Sequence, residues 1–182
     1  MLLQWLELEW DYFLALRGIL SNWWCDMKEK ELIGKIEQWA EDRNLISGST
    51  PQKQFIKLME EFGELCGGIS RNNHEMIKDA IGDCFVVLTI INKQVGNKSE
   101  KMDVFTFGDY EERFAEHIFN LYEYADLGFE SPLSVVSSLQ CIAKKNGLIF
   151  RDCIQHAYEQ IKDRKGKMID GVFVKEEDLN KE

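Results

Sequence analysis

From residue 27 onward, apolar positions recur every three or four residues, the spacing that lines one face of an α-helix. In MKEKELIGKIEQWAEDRNL, Leu32, Ile36, Trp39 and Arg43 follow that interval. Gly48-Ser49-Thr50-Pro51 interrupts it, and Ser49 or Thr50 ahead of Pro51 is a helix-start signal, because proline tolerates the first turn. The spacing predicts a second helix from about Pro51 to Ser70, then a turn at Arg71-Asn72-Asn73. A third helix is predicted from His74 or Glu75 to about Gln94, stopped by Gly96. Residues 97–108 read as a polar loop. DYEERFAEHIFNLYEYADLG predicts a fourth helix ended by Gly128, and Ser131-Pro132 opens a fifth, through Val135, Leu139 and Ile142 to Asn146-Gly147. A sixth spans about Leu148 to Lys162. In the tail, Val172 and Val174 alternate around Phe173, the signature of a short extended piece or a hairpin. The predicted class is all-α with a short extended C-terminal tail.

Residues 1–26 stand apart from this pattern and form a Trp-rich segment ahead of a helical domain at 27–182. The segment holds four of the five Trp, with Leu3, Leu6, Trp10 and Phe13 at helical spacing. Packing on the main domain or in a subunit interface, a membrane-surface helix, and an extension upstream of a natural start at Met27 are the alternatives it leaves open. Its acidic residues Glu7, Glu9 and Asp11 disfavour anionic headgroups and do not resemble the basic start of a signal peptide.

Composition narrows the function. The chain has 182 residues with 22 Lys and Arg against 32 Asp and Glu, a formal charge of −10. A pI near 4.9 argues against a nucleic-acid binder, since phosphate neutralisation needs clustered cations. No apolar stretch reaches membrane-spanning length. The five Cys include no C-x-x-C pair and no Cys/His ligand spacing, so a disulfide framework or zinc site is not expected. A cytoplasmic protein is the expectation.

Candidate chemistry concentrates in KLMEEFGELCGGISRNNHEMIKDAIGDCFVVLTII. On the second helix Phe55, Leu58, Phe62, Leu65 and Ile69 fall within about 80° of arc at 100° per residue. Glu61, Glu64 and Glu60 lie progressively further round one flank of that stripe. On the third helix, CFVVLTII is apolar almost all round, which predicts a helix buried between neighbours. Asp79 and Asp83 are one turn apart on a face that continues through Val86 and Ile90, so Asp83 is carried toward the interior. A buried carboxylate is costly without compensation, and few basic residues lie nearby in sequence. A divalent cation would compensate several such groups at once. Oxygen ligands with no His or Cys among them favour Mg²⁺ or Mn²⁺. The alternative is that these acids are an ordinary solvated face of a Glu-rich helix.

The same residues resemble the MazG-type all-α nucleoside triphosphate pyrophosphohydrolases. The matching text is Glu61-Phe-Gly-Glu64-Leu, then Lys-Asp79-Ala-Ile-Gly-Asp83 before the apolar run. Upstream the resemblance takes in Trp39, Arg43, Pro51, Gln54, Lys57 and Glu60. Downstream, AYEQIKDRKGKMIDGVFVKEEDL looks like the closing segment of the family's phage-type members. It implies hydrolysis of nucleoside triphosphates to monophosphates and pyrophosphate with Mg²⁺, by a homodimer or a dimer of dimers. Carried over position by position, Glu61, Glu64 and Asp83 match the metal ligands. The family's second motif carries Glu where this chain has Ala80, and Asp79 or Glu60 is the expected replacement. Glu61 or Glu64 would orient the attacking water.

Other residues keep two readings at this point. Lys57 reaches the pocket of Glu61 to meet phosphate, or simply pairs with Glu61 one turn away. Arg164, Lys165 and Lys167 contact phosphate, or offer favourable charge at a helix C-terminus. Gln54 reads a base edge or caps a neighbouring turn. Trp39 stacks on a base or, at its helical spacing, belongs to the core. His74, His117 and His156 are scattered and tie into no site. Gly63, Gly67, Gly68 and Gly82 are expected to let helices approach closely. The rival to an enzyme is a non-catalytic oligomeric interaction or nucleotide-binding protein of the same fold.

Overall fold

The computed structural model describes residues 29–97 and 114–179. The Trp-rich segment 1–26, most of the loop expected at 97–108 and the first residues of the expected fourth helix lie outside them. Six helices and one small hairpin make up what is described: α1 (29–42), α2 (Pro51–Ser70), α3 (His74–Gln94), α4 (Phe114–Asp126), α5 (Leu133–Lys145), α6 (Phe150–Ile161), β1 (Gly166–Ile169) and β2 (Val172–Lys175). The chain is mostly helical, and the all-α expectation holds at that level.

Local chemistry sets the boundaries. Thr50 caps α2 by accepting a hydrogen bond from the Lys53 amide, with Pro51 in the first turn. Asn73 caps α3 in the same way through the Met76 amide. The three residues between them let α2 and α3 fold back on one another as a helical hairpin. Beyond α3, Gly96 takes a φ of 73°, a conformation that glycine adopts without strain.

α3 is the central element. Its run Cys84–Asn92 is buried throughout, and it packs on α2, α6 and α5. Leu32, Ile33, Ile36 and Trp39 of α1 join the same core, as do Leu121, Leu139 and Ile154 from the last three helices. Two glycines let helices approach one another closely. A Cβ on Gly68 would lie 3.1 Å from Ile77, and one on Gly82 would fall on the Cys153 carbonyl oxygen of α6. Gly63 faces open space, so the close approach expected there does not occur. Gly67 meets only the flexible ends of Arg71 and Met76.

The tail is a hairpin. β1 and β2 pair antiparallel, with Ile169 opposite Val172. Asp170 and Gly171 between them both have positive φ, the requirement of the two-residue turn that matches strand twist. The turn is fastened to the start of α2: Ser49 donates to the Gly171 carbonyl at 2.9 Å, and Lys53 donates to that of Asp170.

A candidate acidic site between two helices

Glu61 and Asp83 each stand eleven positions from Asn72, at the bend of the α2–α3 hairpin. Antiparallel helices of equal rise therefore set them side by side. Glu61 is only 6% exposed, and its charge is met by Lys57, whose Nζ lies 2.8 Å from Glu61 Oε1 and 3.0 Å from Glu60 Oε2. Burial would lower the Lys57 pKa, but its hydrogen bonds to Glu61 and Glu60 outweigh that and hold it above the usual value.

Asp83 is half-buried and has no such partner on its own helix. Burial pushes its carboxyl up to about 7, and repulsion from Glu61 and Asp79 adds to the shift, against the pull of Arg164 and Lys57. Four charged side chains from α2, α3 and the segment after α6 thus act on Asp83 together. Asp79, one turn earlier, accepts a hydrogen bond from Gln160 Nε2 at 2.9 Å and lies 3.5 Å from His156 Nε2. Gln160 and His156 are themselves 2.8 Å apart. Both come from α6, which sits this close because Gly82 has no side chain to hold it away. Periodicity treats His156 as a scattered histidine; the structure instead places it on the acidic site.

Glu60 and Glu64 are exposed on the flank of α2. Among the described residues, no three of His, Cys, Asp and Glu are close enough together to hold a metal ion by themselves. The donor set therefore does not fit a cage built from protein alone. It does fit Mg²⁺ held by one or two carboxylates, Glu61 and Asp83, with its other positions left to water and phosphate oxygens. Neighbouring Cys84 is no nucleophile: burial first, then the charges of Glu61 and Asp83, raise its thiol pKa well above normal.

Arg164, whose charge acts on Asp83, sits in a turn that Arg43 ties down. Arg43 donates from Nε to the Arg164 carbonyl at 2.7 Å and from Nη2 to that of Lys162 at 2.9 Å. Its guanidinium lies over the Trp39 ring, 5.0 Å from the centroid, and Trp39 packs against Phe173 of the hairpin at 6.3 Å. Trp39 is 7% exposed and belongs to the core, the second of its two readings.

Arg164 and Lys165 border an open cleft of about 640 Å³ between the end of α6 and the hairpin, which Gln160 also lines. Lys167 is exposed on β1 and does not line that cleft. Gln54 is buried at the start of α2, where its Nε2 donates to Ser49 Oγ at 3.0 Å. It braces the hairpin turn two helical turns away from Glu61.

Among the described residues, no helix is long and apolar enough to cross a membrane. No family model matches the chain, and no solved structure matches it. The chain is similar to an uncharacterized 18.2 kDa protein in the rep-hol intergenic region of Haemophilus phage HP1 (strain HP1c1). The two are 42% identical over 158 residues, an alignment that spans 70% of this chain and 96% of the phage protein.

Proposed function

The chain belongs to the same family as this Haemophilus phage HP1 protein, and we propose that it is a Mg²⁺-dependent nucleoside triphosphate pyrophosphohydrolase of the MazG-like kind. On this reading it is cytoplasmic and works as a dimer or dimer of dimers on free (d)NTPs. The observation that carries the reading is the pair Glu61 and Asp83: one is buried with a single lysine partner, and the carboxyl of the other is pushed up to about 7 by burial and by repulsion from Glu61 and Asp79.

Mg²⁺, when bound, neutralises the triphosphate and polarises its phosphorus–oxygen bonds. The chain's own residues do the rest. Lys57 and Arg164, the cations that act on Asp83, meet phosphate oxygens and hold the chain of phosphates in line. Glu61 gives Oε1 to Lys57 and keeps Oε2 to accept a hydrogen bond from the attacking water. The water oxygen bonds to the α-phosphorus as the bond to the bridging oxygen breaks; pyrophosphate leaves and the water proton passes to the carboxylate. Asp79, fixed by Gln160, stands in for the acid absent at Ala80.

A panel of NTPs and dNTPs incubated with the protein and Mg²⁺, then with Mn²⁺, tests this. The expected products are monophosphate and pyrophosphate, with turnover lost in Glu61→Gln. No turnover of any nucleotide, by parent or variant, overturns it. A second reading, a nucleotide-binding relative without catalysis, is favoured by buried Ala80 and by the lack of three clustered metal-ligating residues among those described. It expects nucleotide binding, weak Mg²⁺ affinity and no hydrolysis.

A further inference from the structure

The cleft beside the acidic pair has a composition that phosphate alone does not explain. Arg164, Lys165 and Lys175 line it, but so do Asp163, Glu176 and Glu177, leaving its formal charge balanced. It also opens at the C-terminal end of α6, the negative end of the helix dipole. Both features disfavour an added anion. A group rich in donors and acceptors but uncharged suits them better, because carboxylates accept from hydroxyl and amino hydrogens while Lys and Arg donate to carbonyl oxygens and ring nitrogens.

Position points the same way. Gln160 touches Asp79 directly and Arg164 acts on Asp83, so two residues that line the cleft also act on the acidic site. Lys175, Glu176 and Glu177 form its outer wall. That wall is held in place: the Glu176 amide donates to the Lys165 carbonyl at 3.0 Å, the Asp178 amide to that of Lys175 at 3.0 Å, and Arg43 fixes Lys162 and Arg164 from behind. At about 640 Å³ the cleft lies within the range of small-molecule sites, about 300–1,000 Å³.

We propose that this cleft is the nucleoside subsite: the sugar and base of the nucleotide lie between the end of α6 and the hairpin, with Lys175 and Glu176 reading their polar edges, while the phosphates lie inward at Glu61 and Asp83. This inference depends on the nucleoside triphosphate reading above. It makes the hairpin the determinant of base and sugar preference.

Calorimetry on the full chain separates the two. The ligands are non-hydrolysable α,β-methylene nucleoside triphosphates and inorganic tripolyphosphate, each with Mg²⁺; the variants are Lys175→Met, Glu176→Gln and Glu177→Gln, all in the cleft lining, with folding checked by melting curves. Lys175→Met and Glu176→Gln are expected to weaken the nucleotide analogue by about tenfold each, and to leave tripolyphosphate within about twofold. Unchanged affinity for the analogue in all three variants overturns the subsite while leaving the pyrophosphohydrolase reading intact. Equal losses for both ligands also overturn it, since the cleft would then hold phosphate. A parent that binds neither ligand defeats the pyrophosphohydrolase reading itself.

Discussion

Lys57 places its ammonium 2.8 Å from the buried carboxylate of Glu61, one turn further along α2. Removing the lysine leaves a carboxylate that is 6% exposed without its cation. Lys57 is itself partly solvated, so the cost stays below that of a fully buried pair. Lys57→Met is expected to destabilise the metal-free protein by about 1–2 kcal/mol at pH 7. Adding Glu61→Gln should restore most of it, and denaturant unfolding of the four proteins of this double-mutant cycle measures the coupling.

Asp83 makes stability depend on pH. Its carboxyl is raised from 3.8 to about 7 in the folded protein, so between those values the folded state holds a proton that the unfolded state has released. The contribution is therefore complete below about pH 4 and is lost as pH rises through about 7. Without metal, the parent should be less stable at pH 8 than at pH 5.5 by about 1–2 kcal/mol from this group, which is partly solvated. Asp83→Asn should flatten that slope. Above pH 7 Mg²⁺ should raise the melting temperature of the parent but not of Asp83→Asn; an equal rise in both would remove Asp83 from the metal site.

Two glycines of the site's helices should respond in opposite directions. Gly82→Ala drives a methyl into the Cys153 carbonyl and to 2.7 Å from the Ala157 Cβ, and backbone cannot yield as a side-chain tip can. A loss of about 1–3 kcal/mol is expected, with turnover falling as α6 withdraws Gln160 and Arg164 from the acids. Gly63→Ala meets nothing within 4 Å in the middle of α2 and should stabilise by about 0.5–1 kcal/mol. Thermal melting of both variants provides the comparison.

Gln160 orients Asp79 without reaching the phosphates of the proposed substrate complex. Gln160→Leu keeps the bulk, loses the 2.9 Å donor, and should cut kcat about 10- to 100-fold with little change in melting temperature. Steady-state kinetics beside a melting curve would tell a positioning role from a packing one.

The helices of the site are legible in sequence because their signals are local. Thr50-Pro51, Asn73 and Gly96 mark ends by capping and backbone preference, and Glu61 with Asp83 follow from two stripes and the bend between them. His156 and Gln160 were not legible. Gln160 bonds Asp79 across 81 positions, and that contact exists only because α6 docks on Gly82, a tertiary event that no helical period records. Gln54 shows the same limit: its partner is a serine fixed by the hairpin turn. Lys165 and Lys167 look alike in sequence, yet the hairpin leaves only Lys165 on the cleft.

The Arg43 clamp has a bearing on biosynthesis. It joins a residue of the first quarter of the chain to carbonyls made more than a hundred residues later. Glu61, Asp79 and Asp83 emerge from the ribosome well before Arg164, so the nascent α2–α3 pair carries its crowded negative charge before that guanidinium exists to relieve it. Its electrostatic neutralisation waits for the final stretch of translation, when the turn after α6 closes over Trp39.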